Sequence, residues 1–332
     1  PIFLSCQKSV VFNNVNANAL QLSAPRIVGT GISSIDYLNI EGISDDGQKA
    51  SFVNDGVLTA KELFLKNLKS SNTGSIIGTS FGVDGELESS GTIRSDELIL
   101  EEKAFLKLIE GGKSDIKTLL LSKASHFENH AKDNELYVDV LLGVGGTISN
   151  YGALVVDVVD ERSKFEAIIN RNLISAVTGD LNTHHLSNSG VLDFTSGIVA
   201  TAEGENLSLI KARQLKVDAS FTNNEQGYIE TALVTGSGEL VNGGKIETAD
   251  DLILDVQEFS NNKGGLVKAK SIAGLLNLQK FTNDEDSGVD AGQSLSFANT
   301  TNVINQGHMK SKAMTLVGNK TVQSGDIKAE TL

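Results

Sequence analysis

Apolar and polar residues alternate along this chain in short runs that recur at a nearly constant spacing. In one such run, Leu252, Leu254 and Val256 fall on the same face of an extended segment. This two-residue period is typical of a β-strand with one buried face. Asn-Gly and Gly-Gly pairs separate the runs, and these residues favour tight turns. The pattern predicts an all-β chain of short strands joined by turns.

A longer repeat organises these runs. An apolar residue, Asn, a spacer, Gly and a further apolar residue are followed by Leu-x-Leu, as in the segments that open at Phe52 and Leu240. Successive Asn residues such as Asn242 and Asn261 are about 20 residues apart, and a fixed period of this length is typical of stacked coils. We therefore predict a parallel β-helix (β-solenoid) of about 16 coils of about 20 residues. It forms a single repeat domain over residues 1–332.

The repeated Asn and Gly residues are predicted to be structural. Asn at one corner of successive coils can form a ladder of amide hydrogen bonds along the stack. Gly accepts the positive φ that tight corners need. A binding stripe along the Asn residues is the alternative. The predicted turn and ladder positions are Asn54, Gly56, Asn129, Asn150, Asn188, Asn223, Gly227, Asn242, Gly244, Asn261, Gly264, Asn283, Asn305 and Gly307.

Phenylalanine recurs two positions before several of these Asn residues. We expect the rings to stack inside the coils as an aromatic ladder, which belongs to the core and not to a binding site. The positions are Phe52, Phe221, Phe259 and Phe281.

The charge balance excludes several classes of partner. The chain has 28 basic and 42 acidic residues, for a net charge of −14. Nucleic-acid binding needs clustered cations, so we predict no nucleic-acid partner. No apolar stretch reaches the roughly 18 residues that a membrane span needs, so we predict no membrane-spanning segment.

Acidic pairs such as Asp45-Asp46 and Asp250-Asp251 are interpreted as a solvated outer surface. A weak Ca²⁺ site in the acidic run 284–286 is the alternative. Cys6 is the single cysteine, so no disulfide framework exists, and we expect a buried thiol there.

Candidate catalytic and metal-binding residues are few. His126 and His130 have the spacing of two metal ligands on a helix, but they coincide with a repeat turn, so we interpret them as surface histidines in a turn. His184-His185 is interpreted in the same way. Polysaccharide-cleaving β-helices resemble one another in Gly-His-Gly segments, and Gly307-His308-Met309 lacks the second Gly. We predict a protein that is not an enzyme and has no catalytic, cofactor-binding or metal-binding residues, with a polysaccharide lyase or hydrolase as a distant alternative.

Segment 157–181 departs most from the repeat. Residues 161–169 have helix-compatible composition and spacing. Protrusions from solenoids often carry binding sites, so we predict an irregular excursion with Arg162, Lys164 and Phe165 as candidate binding residues. A degenerate coil is the alternative.

Repeats of the form Phe-x-Asn-x-x-Gly-x-Ile-x-Ala-x-x-Leu-x-Leu resemble the filamentous haemagglutinin repeats of two-partner-secreted bacterial exoproteins. This family includes adhesins and the stalks of contact-dependent growth-inhibition toxins. Segment 221–232 is the nearest match to that form within the chain. The resemblance implies a right-handed β-helix, export through an outer-membrane transporter of the two-partner type, and a secreted or cell-surface location. The family's amino-terminal secretion domain and toxin motifs have no counterpart here.

We therefore expect a structural or adhesive shaft segment of a large exoprotein, cut from a longer rod, that presents an adhesin or toxin region away from the cell. The alternative is a recognition module, in which the solenoid face or the excursion binds an unknown target-cell receptor.

Overall fold

The computed structural model describes residues 1–44, 48–131, 135–298 and 300–331. These residues form β-strands that pair in parallel with strands one coil away, and they form no helix. The prediction of an all-β parallel β-solenoid is confirmed. Asp45 and Asp46 lie outside the described residues. The chain divides into two compact units, Pro1–Ala167 with Arg171–Ala176, and Ile168–Asn170 with Val177–Leu332.

The first unit contains the strands β1 (Ile2–Ser5), β2 (Ser9–Asn13), β3 (Asn16–Ala24), β4 (Arg26–Thr30), β5 (Ile32–Gly42), β6 (Ala50–Asn54), β7 (Val57–Asn72), β8 (Ser75–Ser89), β9 (Thr92–Leu100), β10 (Phe105–Leu108), β11 (Lys113–Leu121), β12 (His126–Asn129), β13 (Leu136–Gly143), β14 (Thr147–Asn150) and β15 (Ala153–Val159). Two further strands have residues in both units, namely β16 (Phe165–Asn170) and β17 (Leu173–Thr178).

The second unit contains the strands β18 (Leu181–Asn188), β19 (Val191–Asn206), β20 (Leu209–Asn223), β21 (Tyr228–Glu230), β22 (Leu233–Thr235), β23 (Glu239–Asn242), β24 (Lys245–Glu247), β25 (Asp251–Asp255), β26 (Glu258–Asn261), β27 (Leu266–Gly274), β28 (Lys280–Asn283), β29 (Gly288–Phe297), β30 (Asn302–Asn305), β31 (His308–Leu316), β32 (Lys320–Gln323) and β33 (Asp326–Thr331). Among the described residues there is no helix with the length and apolarity needed to cross a bilayer.

The core of the first unit consists of columns of apolar side chains. Leu63 pairs with Phe81, Phe81 with Leu98, and Leu98 with Leu119, so one side chain from each coil enters the same column. All four are at most 1 % exposed. Because the side-chain period of a strand is two, the residues between them face outward. The alternation seen in the sequence thus sets which face of every strand is buried.

The aromatic ladder predicted from the sequence is present only in part. In the second unit, the Phe259 and Phe281 rings stack with centroids 5.7 Å apart and planes 8° apart. Phe221 does not join them, because Leu240 pairs with both Phe221 and Phe259 and occupies the position between them. In the first unit Phe52 stacks on Phe12 at 6.5 Å. The prediction of one aromatic column is therefore wrong.

Candidate functional site

A continuous column of buried Asn side chains is the most regular polar feature of the second unit. From Asn170 to Asn283, each Nδ2 donates a hydrogen bond to the Oδ1 of the Asn one coil later, at 2.7 to 2.9 Å. The last member, Asn305, donates to Gln323 Oε1 at 3.1 Å. Every member is at most 1 % exposed. The ladder expected from the sequence is therefore present, and its side chains are inaccessible to a ligand, so these Asn residues form no binding stripe. The column is Asn170, Asn188, Asn206, Asn223, Asn242, Asn261, Asn283 and Asn305.

The same amide groups also hold the turn of each coil. Asn242 Nδ2 donates to Gly244 O at 3.2 Å, and Asn223 Nδ2 donates to Gly227 O at 3.2 Å. A primary amide has two N–H donors and a carbonyl acceptor, so one side chain can bond to its own corner and to the next coil. Burial without such partners would cost free energy, which explains why Asn and not an apolar residue occupies this buried corner.

The ladder of the first unit is shorter and interrupted. Asn54 donates to Asn72 at 2.8 Å, and Asn72 donates to Ser89 Oγ at 3.0 Å. The next position is Leu108, which has no polar side-chain atom. Beyond it the ladder resumes with Asn129, which donates to Asn150 at 2.9 Å. Asn72 was not among the predicted ladder positions, although the Asn72-Thr73-Gly74 segment has the Asn and Gly of the repeat.

The Gly residues at the corners are required for a different reason from the predicted one. Of the predicted corner glycines, Gly264 has a positive φ of 84°. Gly56 and Gly244 do not have a positive φ. A Cβ on Gly56 would lie 2.2 Å from Gly31 O, and one on Gly244 would lie 2.3 Å from Asn224 O. These corners therefore require Gly because the backbone of the neighbouring coil lies too close for a side chain. Gly227 and Gly307 are similarly enclosed.

The predicted binding excursion forms part of the coils. Residues 161–169, which have helix-compatible composition, form a turn and strand β16, as the alternative of a degenerate coil describes. Phe165 is 3 % exposed and its ring lies against Gly143, where a Cβ would come within 2.2 Å of Phe165 Cε1. Phe165 is thus a core residue and is unavailable to a ligand. Arg162 and Lys164 are exposed.

Arg162 binds its own turn through a bidentate ion pair. Its Nε donates to Asp160 Oδ1 at 2.8 Å and its Nη2 donates to Asp160 Oδ2 at 2.7 Å. These side-chain hydrogen bonds, together with one from the Arg162 backbone N–H, lower the pKa of Asp160 to about 2. Because its Nε and Nη2 groups are bound to Asp160, Arg162 stabilises its own turn in this structure.

We expect the Asp160 carboxyl to titrate by NMR with a pKa of about 2. In Arg162→Ala the pKa should return toward the ordinary Asp value of about 3.9, because the carboxylate loses its charged donor. The pair's contribution to stability is present above the unfolded-state pKa and is lost as pH falls through the folded-state pKa. Lys164→Ala is the matched control and should leave the Asp160 titration unchanged. An Asp160 midpoint that stays low in Arg162→Ala would contradict this account.

Three of the predicted surface histidines, His126, His184 and His185, lie on strands, whereas His130 directly follows strand β12 at a corner of the coil. His126 begins β12, is half-buried, and its ring centroid lies 5.3 Å from that of Phe105. Burial lowers its pKa, although the nearby Glu128 carboxylate opposes that shift. His184 and His185 lie on β18. Among the described residues, no group of three or more His, Cys, Asp and Glu side chains is placed to hold a metal ion.

His130, Tyr151 and Arg171 stack on one corner of the first unit. The His130 and Tyr151 rings are 4.4 Å apart and nearly parallel, and the Arg171 guanidinium lies 5.1 Å from the Tyr151 ring centroid. His130 Nε2 also contacts Glu128 Oε1. Stacking and cation–π contacts between successive coils stabilise this corner, in parallel with the amide ladder inside it.

We expect the pKa of His126 to lie below the ordinary His value of about 6.5. Since the unfolded chain then binds the proton more strongly, stability is lost as pH falls below the unfolded-state pKa. His126→Gln should reduce the loss of unfolding free energy between about pH 7 and pH 5, measured by urea unfolding. His184→Gln, an exposed histidine on β18, is the control and should keep the wild-type pH dependence. An equal pH dependence in wild type and His126→Gln would contradict the assignment.

Charged residues on the outer face of the second unit form a second ladder. Lys211 pairs with Glu230 at 3.3 Å, Lys268 with Glu247 at 3.2 Å, and Lys310 with Asp290 at 3.6 Å. All of them lie in one register row across β20, β21, β24, β27, β29 and β31. Exposed ion pairs of this kind contribute only about 0–1 kcal/mol each to the stability of the fold. Their main effect is to neutralise surface charge.

Glu247 is the most highly coordinated carboxylate in this row. Lys245, Lys268 and the Tyr228 hydroxyl all bind it. The hydrogen bond from Lys245, followed by that from Lys268, lowers the pKa of Glu247. A general acid needs a raised pKa, so Glu247 is unsuited to that role despite its groove beside Lys268 and Lys270.

Two other acidic or nucleophilic groups were singled out in the sequence. In the acidic run 284–286, Asp286 Oδ2 lies 3.3 Å from Lys263 Nζ. Cys6 is exposed, so the expectation of a buried thiol is wrong. Hydrogen bonds from the backbone of Lys8 and then Ser9 lower the pKa of the Cys6 thiol.

The fold and its buried ladder define the class of parallel β-solenoids. No protein-family model, curated protein or solved structure matches the chain.

Proposed function

We propose that this chain is a structural shaft segment of a large secreted or surface-exposed bacterial exoprotein, which presents an adhesin or toxin region away from the cell. The repeat resembles that of filamentous haemagglutinin, and a two-partner outer-membrane transporter is the export partner that goes with it. The proposal assigns the chain no catalytic role. The coil itself, and not a site on it, is the functional element.

The observation that supports this proposal most is the uninterrupted Asn column of the second unit. In a solenoid each coil contacts only its neighbours, so stiffness depends on what joins one coil to the next. Here a buried amide hydrogen bond of 2.7 to 2.9 Å joins every coil to the next from Asn170 to Asn305. Such bonds fix the register of each coil and resist sliding, which is what a load-transmitting shaft requires.

Labelling of intact cells tests the proposal. An antibody raised against the purified chain should label intact cells of the source organism as strongly as permeabilised ones. An antibody against a cytoplasmic protein of the same cells is the control and should label only permeabilised cells. Labelling by both antibodies only after permeabilisation would overturn the surface location and with it the proposed shaft.

A further inference from the structure

A row of apolar side chains lies on the outside of the first unit. Phe64, Ile99, Leu120 and Leu142 occupy the same outward position on β7, β9, β11 and β13, and each is partly exposed. The position on β8 between the first two is Gly82, and the Phe64 ring covers it, since a Cβ there would lie 2.8 Å from Phe64 Cδ1. We call these five positions the outer apolar row.

Other partly exposed apolar side chains widen the row at both ends. Tyr37, which is 40 % exposed, lies with its ring centroid 6.0 Å from that of Phe64. At the other end Val140 faces outward beside Leu142, and its register partner Val158 is 41 % exposed. A contiguous apolar surface of this kind is uncommon on soluble proteins unless it binds something. Its position on an outer face means that no coil of the unit packs over it.

Carboxylates flank the outer apolar row on both sides. Glu62 and Glu97 are two residues before the row on their strands, and Asp84 and Glu101 are two residues after it. Among the described residues, none of these four is ion-paired with Lys, Arg or His. Other carboxylates of the same unit are paired between coils, namely Asp36 with Lys61, Asp96 with Lys117, and Asp115 with Arg94. Lys66, two residues after Phe64, lies with its Nζ 5.9 Å from the Phe64 ring centroid and offsets part of this charge. The flanks still carry more carboxylates than cations, which favours a basic occupant.

The spacing of the row distinguishes between possible occupants. The row crosses the strands, so its side chains recur about every 4.8 Å. An α-helix lying along it would bring residues i, i+3/i+4 and i+7 to the surface about every 5.4 Å, a near match. An extended strand would present one side chain to the surface about every 6.6 Å, which is a poorer match. Five coils span about 19 Å, the length of about 13 helical residues.

We propose that the outer apolar row is a docking surface for a basic amphipathic helix of a partner protein. The apolar stripe of that helix would lie on Phe64, Ile99, Leu120 and Leu142. Lys or Arg residues on both sides of the stripe would reach the flanking carboxylates, as in other helix-in-groove recognition. This surface is independent of the proposed shaft function, because a shaft needs no docked partner.

Binding of designed peptides to the full chain tests the proposal. The probe is a fluorescent peptide of about 18 residues, long enough to form helix, with Leu on one face and Lys on both flanks. A scrambled peptide of the same composition controls for simple attraction between a cationic peptide and a protein of net charge −14. We expect the amphipathic peptide to bind at least about tenfold more tightly than the scrambled one, by fluorescence anisotropy. Equal affinities would overturn the proposal.

Variants of the chain locate the binding. Leu120→Lys, in the middle of the row, should lower the affinity for the amphipathic peptide by about tenfold or more. The substitution removes apolar contact and repels the peptide's cations. Thr222→Lys makes the same charge change on an outward position of β20 in the second unit, and should alter affinity less than about twofold. Equal effects of the two substitutions would overturn the assigned surface.

A second variant and a measurement of mass complete the test. Glu97→Gln combined with Glu101→Gln leaves the apolar row intact. This double variant should lower the affinity for the peptide and reduce the salt dependence of peptide binding. It serves in place of Leu120→Lys if that variant does not fold by circular dichroism. Light scattering gives the mass of the wild-type chain. Self-association that is lost in the variants would assign the row to a second copy of this chain and would overturn the helix proposal.

Discussion

Replacing Asn242 with Ala is expected to lower the free energy of unfolding of the second unit by about 2–4 kcal/mol. Asn242 is fully buried and lies in the interior of the amide column. It accepts from Asn223 Nδ2 at 2.7 Å and donates to Asn261 Oδ1 at 2.7 Å. The substitution removes both bonds and leaves a small cavity at the corner.

The cost depends on which partners are left unsatisfied. Asn223 Nδ2 also donates to Gly227 O and Lys245 O, so this donor keeps two acceptors. Asn261 Oδ1 loses its Asn242 donor, whereas Gly244 O loses the same Nδ2 but still accepts from the Leu266 N–H at 2.8 Å. A buried acceptor without a partner costs about 1–3 kcal/mol. We therefore expect the unsatisfied Asn261 Oδ1 to account for most of the loss.

Urea unfolding of wild type and Asn242→Ala measures the difference. Asn262→Ala is the matched control, because Asn262 is the exposed Asn beside the column member Asn261, and its removal should change stability by less than about 0.5 kcal/mol. Asn242→Asp should lower the free energy of unfolding at least as much as Asn242→Ala. A carboxylate can accept a hydrogen bond from Asn223 but cannot donate one to Asn261. A loss below about 1 kcal/mol in Asn242→Ala would mean that the ladder contributes little.

Leu108 in the first unit shows why the amide ladder can be interrupted there at less cost than at Asn242. It separates Ser89 from Asn129 in the register row. On one side of the break, Ser89 Oγ accepts from Asn72 Nδ2. On the other side, the Asn129 Oδ1 accepts from the Ala131 N–H at 3.1 Å. Both ends of the interrupted ladder are therefore satisfied, a compensation that Asn261 Oδ1 does not have.

The parts of the structure that depend on periodicity were predictable from the sequence. Alternation along each run identified the buried face, because a strand has a side-chain period of two. The recurrence of Asn identified the amide ladder, because in-register stacking places the same position of each coil in one column. Both inferences need only spacing within the chain and no knowledge of distant contacts.

Features that depend on tertiary contacts were not predictable in the same way. The composition around Phe165 favours a helix. In the structure the Phe165 ring fills the space left by Gly143, and pairing with neighbouring strands determines the backbone conformation. The prediction of one continuous aromatic column was wrong because Leu240 lies between Phe221 and Phe259 in the same register row. The outer apolar row was missed because its members lie between core residues in continuous apolar runs, where outward and inward positions look alike.

Deleting one whole coil from the second unit should leave a folded protein. Residues 243–261 are one repeat of 19 residues, since Asn242 and Asn261 occupy equivalent positions in register. Their removal joins Asn242 to Asn262, so Asn242 takes the place of Asn261 and is positioned to donate to Asn283. Leu240 likewise takes the place of Phe259 in its column. Every remaining strand keeps a partner on the same face, and stability should change only by the loss of one nearest-neighbour interface.

Deleting only residues 243–252 should have the opposite result, because it removes about half a coil and joins Asn242 directly to Ile253. The corner that contains Gly244 is lost, and the strands that follow can no longer align their buried residues with the neighbouring columns. We expect the whole-coil deletion to keep the wild-type far-UV circular dichroism spectrum and a cooperative urea transition. The half-coil deletion should show a weaker β signal and a less cooperative urea transition, because the second unit loses its structure while the first unit keeps its coils. Loss of structure in both, or retention in both, would contradict the view that a single coil is the unit of this fold. The comparison is decisive because the shorter deletion removes fewer residues and yet is expected to do more damage.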